Sequence, residues 1–151
     1  IEPAAYRSDF EIPFLFFSCK KEPVNIIKGF QLTQIEVKAM PLTNSGSAWD
    51  SDGSNPEVYY KLYEGATQIY DGSTGLFKSN ATTPFTITDG MPISVNDSEV
   101  DLVYILELWD YDGSSDDALI EKMYFSLSSI QSYYEYEIIE DSTTVNLNLV
   151  W

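Results

Sequence analysis

A chain of 151 residues that is 44% hydrophobic, 21% charged and 15% aromatic has the size and composition of one globular domain with a real core. Its net charge of −16 opposes nucleic acid, whose phosphates need Lys and Arg, and simple attraction to anionic lipid; it favours a hard divalent cation. The absence of His removes imidazole catalysis and imidazole metal sites, and a single cysteine, Cys19, removes an intrachain disulfide and a Cys-rich zinc site.

Residues 1–28 stand apart. Ile12-Pro13-Phe14-Leu15-Phe16-Phe17-Ser18-Cys19 is a short apolar run closed by a small residue and a cysteine, followed by Lys20, Lys21 and Glu22. This resembles the end of a bacterial lipoprotein signal. The resemblance implies lipidation of Cys19, membrane attachment through it and an extracytoplasmic place on the outer membrane or cell surface. The same run also reads as an N-terminal arm that packs Phe14 and Phe16 on a sheet. The remaining domain, residues 29–151, holds four lysines against 20 acids and so carries the whole net charge of −16.

From residue 29 the pattern is strand and turn. Residues 31–40 alternate, with Ile35, Val37 and Ala39 on one face and Gln34, Glu36 and Lys38 on the other, which predicts a half-buried strand ended by Pro41. Residues 42–56 form a long loop rich in Gly, Ser, Asn and Asp. Further strands are expected at 58–63, with Val58, Tyr60 and Leu62 sharing a face, and at 67–70, 76–78, 84–88 and 93–95. The run 102–109 is nearly continuous in apolar residues and predicts a central strand buried on both faces. Strands at 119–127, 136–139 and 145–149 follow, with a short helical turn or loop at 128–134. No dozen residues show a period of 3.6. The fold class is therefore all-β, an antiparallel sandwich of seven or eight short strands.

Two loops share a six-residue pattern. Trp49-Asp50-Ser51-Asp52-Gly53-Ser54 recurs sixty positions later as Trp109-Asp110-Tyr111-Asp112-Gly113-Ser114, and Asp116 and Asp117 follow the second copy. Asp carries its carboxylate on a short, stiff side chain, so Asp-x-Asp in a loop aims alternate carboxylates at one point. The following Gly permits a sharp backbone path. Ca²⁺ takes six to eight such oxygens. An EF-hand does not fit, because the twelfth residue counted from Asp50 is Lys61, and the loop from Asp110, though it reaches Glu121, is flanked by strands.

These features resemble a C2 domain, the eight-stranded antiparallel Greek-key sandwich that binds Ca²⁺ between loops at one end. Asp50-Ser51-Asp52-Gly53-Ser54-Asn55-Pro56-Glu57-Val58 follows the outline of one family loop, with Asn55 where the family has an acid. Leu106-Glu107-Leu108-Trp109-Asp110-Tyr111-Asp112 and Asp116-Asp117-Ala118-Leu119-Ile120 follow the other. The resemblance covers residues 29–151. It implies metal ligands at Asp50, Asp110, Asp112 and Asp117, with Asp52, Asn55 and Asp116 as further candidates. The expected function is a non-catalytic Ca²⁺-binding module in which the ion clamps two acidic loops and supports binding of a partner outside the cytoplasm. The partner is a protein, glycan or lipid. Ca²⁺-dependent phospholipid docking, a carbohydrate-binding or adhesion sandwich, and a carboxylate-based hydrolase remain alternatives.

Overall fold

The computed structural model describes residues 29–75, 78–96, 101–113 and 117–151. The expected arm at 1–28 with Cys19, the candidate ligand Asp116 and the first two positions of the expected strand at 76–78 lie outside the described residues. Alternating apolar sequence produces nine strands among them: β1 (Gly29–Ala39), β2 (Val58–Glu64), β3 (Thr67–Asp71), β4 (Phe85–Ile87), β5 (Ile93–Asn96), β6 (Val103–Asp110), β7 (Ala118–Ser126), β8 (Glu135–Glu140) and β9 (Thr143–Val150). A single helical turn, α1 (Leu127–Ile130), follows β7 and is capped by Ser126, whose hydroxyl accepts from the Ser129 N–H. Lys78 makes an isolated bridge with Val58.

The strands form two antiparallel sheets. One has the order β3-β2-β6-β7; in the other β4, β1, β9 and β8 lie side by side, and β5 also pairs with β1. β4 takes Ile35 to Val37 of β1 and β5 takes Gly29 to Leu32, while β9 covers the opposite edge. β4 and β5 are thus one edge lane interrupted by the Asp89-Gly90 turn, and nine segments make the expected eight lanes.

The two sheets enclose a single apolar cluster. It takes Val58, Tyr60 and Leu62 from β2, Tyr104, Leu106 and Leu108 from β6, and Val145, Leu147 and Leu149 from β9. In β1 the period of two breaks: Phe30 and Leu32 are buried, and so are Ile35 and Val37. A register shift between Leu32 and Gln34 absorbs the extra residue, so a bulge turns both halves of the strand to the same core. The expected alternation holds for Ile35 and Val37 but not for Ala39, because a second register shift follows Val37 and leaves Ala39 half-buried while Met40 is buried.

The β6 run is not buried on both faces as its composition implied. Its even positions point into the core, while Ile105 and Trp109 on the other face are only half-buried. That outer face is covered by a row of charges across the sheet. Asp71, Lys61, Glu107 and Lys122 are consecutive cross-strand partners on β3, β2, β6 and β7. Glu107 accepts from Trp109 Nε1 at 3.0 Å and pairs with Lys122 at 2.9 Å, and the Lys61 ammonium lies 4.6 Å from the centre of a Trp109 ring. A charge in the middle of an apolar run is tolerated here because both its neighbours are cationic.

Leu106 is fully buried, whereas Ile139 on β8 is 65% exposed. Truncating Leu106 to Ala is expected to cost about 2–5 kcal/mol of unfolding free energy, and Ile139→Ala less than about 0.5 kcal/mol. Urea denaturation measures both, and equal losses would contradict the placement of the core.

Candidate metal site

The alternation of β6 decides the character of the site. Tyr104, Leu106 and Leu108 point inward, and the next inward position is Asp110, at the mouth of the sandwich where β6 ends. A carboxylate thus takes a core position and is 0% exposed. Its Oδ1 accepts from the Glu57 N–H at 2.9 Å, and its Oδ2 is buried with no hydrogen-bond partner.

The first loop brings a second carboxylate to the same place. The chain turns at residues 50–53, where the Gly53 N–H donates to the Asp50 carbonyl at 3.0 Å. Gly53 has φ +84° and Gly113 has φ +68°, so the Gly expected to permit each sharp turn does so. One oxygen from each of Asp50, Asp110 and Asp112 lies within 4.8 Å of the others. Asp50, Asp52, Ser54, Glu57, Tyr111 and Asp112 are among the residues around an open cleft of about 460 Å³ there.

The other sequence candidates sit differently. Asp52 Oδ1 accepts from the Ser54 N–H at 2.9 Å and lies 2.6 Å from the Ser54 hydroxyl, which shapes its own turn. The Asn55 N–H donates to Asn80 Oδ1 at 3.3 Å, tying that residue to the turn at 79–81. Asp117 Oδ2 accepts from the Tyr59 hydroxyl at 2.6 Å, and its Oδ1 accepts from the Asp112 N–H at 3.1 Å. Glu57 was not singled out in the sequence, yet its main chain joins the loops. Its N–H serves Asp110, and its carbonyl accepts from the Tyr111 N–H at 2.9 Å. Its place directly before β2 and opposite the end of β6 was the only available sign.

The two Trp-Asp copies are not equivalent. Trp49 packs against the core from a loop and donates from Nε1 to the Pro41 carbonyl at 3.0 Å. Trp109 lies on the outer sheet face beneath Lys61. The repeat is one of sequence, and the structure uses its two halves as opposite walls of one cleft.

The electrostatics are those of crowded, partly desolvated carboxylates. Burial raises the Asp110 carboxyl from an ordinary value of 3.8 to about 6; the Glu57 N–H works against the shift, and the negative charges of Asp50, Asp112 and Glu57 add to it. Asp112 is also raised, first by burial and then by Asp50 and Asp117. Asp52 is lowered by its hydrogen bonds from Ser54. A divalent ion fits the three converging carboxylates, because it would give the orphaned Asp110 Oδ2 a partner and offset the repulsion among the three.

No protein-family model and no curated protein sequence matches this chain. Solved structures match its fold. A C2 domain superimposes with a TM-score of 0.54 at 15% sequence identity, covering 82% of this chain and 98% of that one. Human GIVD cytosolic phospholipase A2, in complex with methyl gamma-linolenyl fluorophosphonate, gives a TM-score of 0.48 at 15% identity, covering 81% of this chain and 17% of that one. The chain has the C2-type β-sandwich fold.

In chelator, the raised Asp110 value has a defined sign. The folded state holds this proton more tightly than the unfolded state, so stability falls as pH rises from about 4 to about 7, by about 2 kcal/mol for this group. Asp110→Asn keeps the acceptor for Glu57 and removes the charge. Its unfolding free energy should exceed wild type at pH 7 and converge with it near pH 4. Parallel pH profiles for the two proteins would contradict the burial of an unpaired carboxylate.

Proposed function

We propose that the protein is a non-catalytic, Ca²⁺-binding C2-type module in which Asp50, Asp110 and Asp112 hold the ion between the two acidic loops. The observation that carries this reading is the buried, unpartnered Asp110 Oδ2 within 4.8 Å of two further carboxylate oxygens. Among biological divalent ions, Ca²⁺ suits an all-oxygen set with flexible geometry and room for water or a partner's oxygen. Three carboxylates in an open cleft suit the millimolar Ca²⁺ found outside cells, where extracellular modules bind at about 10⁻⁴–10⁻³ M. The extracytoplasmic place and the lipidation of Cys19 are proposed on the sequence around that cysteine alone.

The role of the ion is structural. Glu57 links the loops by two hydrogen bonds of its own main chain, its N–H to the Asp110 carboxylate and its carbonyl from the Tyr111 N–H, but three like charges push the loops apart, and the ion would reverse that balance. The non-catalytic reading rests on the sequence, in which no acid–base pair of carboxylates stands apart from the metal set.

A second reading, Ca²⁺-dependent docking to phospholipid, is favoured by one observation. Leu42 is 79% exposed on the loop that leads from β1 to the acidic cleft. Three of the four lysines of residues 29–151 argue against a strong electrostatic contribution, since Lys38 pairs with Glu137, Lys122 pairs with Glu107 and Lys61 caps Trp109, which leaves Lys78 exposed. Liposome co-sedimentation with and without Ca²⁺ separates the two readings; Ca²⁺-dependent pelleting that Leu42→Ser abolishes would replace the structural clamp with a membrane role.

For the clamp itself, 10 mM Ca²⁺ against a dissociation constant of about 1 mM stabilises the fold by about 1.4 kcal/mol, a rise in melting temperature of about 3–6 °C. Mg²⁺, which demands near-ideal octahedral geometry, should give a smaller rise, and Asp110→Asn none with either ion. An unchanged melting temperature for wild type in millimolar Ca²⁺ would remove the ion from the account.

A further inference from the structure

We propose that Asp117 is a positioning residue of the ion site rather than a ligand, and that Tyr59 is what holds it in that role. This rests on the reading of the cleft as an ion site, and it adds a division of labour that the sequence pattern does not contain.

The three oxygens that converge belong to Asp50, Asp110 and Asp112, and Asp117 is not among them. Each of its carboxylate oxygens accepts a hydrogen bond from the protein, Oδ2 from the Tyr59 hydroxyl and Oδ1 from the Asp112 N–H, and these two bonds set the direction of the carboxylate. The second of these bonds fixes the backbone of a proposed ligand. Asp117 thus acts on the ion through Asp112, as outer-shell groups act through the ligands they orient.

Tyr59 is a firm anchor. It is 1% exposed, and it sits on β2 as the cross-strand partner of Trp109. The Tyr111 ring meets it edge-on at 6.5 Å, and the Lys61 ammonium lies 5.7 Å from its centre. If Asp117 turned to the ion, the hydroxyl of a buried phenol would lose its partner, and that outcome is unfavourable. The arrangement also ties the ion loop to the outer face of the four-stranded sheet, because Tyr59 belongs to that face and Asp112 to the cleft.

Terbium(III), filling the cleft in place of Ca²⁺, tests the assignment through its luminescence lifetime in H₂O and D₂O, which counts the waters on the ion. Losing a ligand adds water; losing a support does not. Asp117→Asn should bind Tb³⁺ about tenfold more weakly with an unchanged water count, whereas Asp112→Ala should add about one water. Tyr59→Phe should show the same weakening and unchanged count, and the double variant Tyr59→Phe/Asp117→Asn should be no weaker than the worse single variant. A water count raised in Asp117→Asn, or additive losses in the double variant, would overturn the assignment while leaving the ion site standing. Absence of Tb³⁺ binding to wild type, at concentrations that saturate such sites, would overturn both.

Discussion

A carboxylate at an inward-facing strand position is the constraint on which the loop end of this protein depends. The period of two in β6 carries Asp110 to the place where a fourth core side chain would stand. Burial withdraws water from it, one oxygen finds a main-chain donor and the other finds none. Leaving such a group unsatisfied costs about 1–3 kcal/mol, more when it is charged. The two neighbouring carboxylates increase the strain. The rest of the loop architecture, with Glu57 bridging the strands, Gly53 and Gly113 bending the loops, and Ser54 turning Asp52 on itself, brings negative charge toward this atom where a shape optimised for stability alone would take it away. That pattern makes sense when a cation completes it.

Part of the remaining charge is paired across the two sheets. On the outer face of the four-stranded sheet, Asp71, Lys61, Glu107 and Lys122 alternate in sign across adjacent strands, and on the other sheet Lys38 answers Glu137. These charges are locally balanced. At the mouth of the sandwich Asp50, Asp110 and Asp112 bring three carboxylates together, and their negative field is directed at the cleft.

Much of this was legible in the sequence, and the parts that were not share a cause. Strand positions followed from alternation in β2 and β9, where Val58, Tyr60 and Leu62, and Val145, Leu147 and Leu149, keep strict period. In β1 the bulge after Leu32 shows in the sequence only as apolar positions that change from even, Phe30 and Leu32, to odd, Ile35 and Val37. In β6 the apolar run concealed that Glu107 is held by cations on neighbouring strands, a relation that exists only after pairing. The cluster of Asp50, Asp110 and Asp112 was visible as a repeat, but the repeat overstated the symmetry, because Trp49 and Trp109 pack on different surfaces. Individual hydrogen bonds were not legible: nothing in the identity of Glu57 announces that its amide serves Asp110, and nothing in that of Tyr59 announces the bond from its hydroxyl to Asp117.

Residue-resolved NMR tests most directly whether one ion lies between the loop at Asp50 and the loop at Asp110. In a titration with Ca²⁺ followed by ¹H–¹⁵N correlation spectra, the amides of Asp50, Gly53, Glu57, Tyr111 and Asp112 are expected to shift together along one saturating curve, while those of Leu32, Leu147 and Tyr134 stay fixed. Shifts that are absent from these loops, or that saturate separately in each, would contradict a single site built from both.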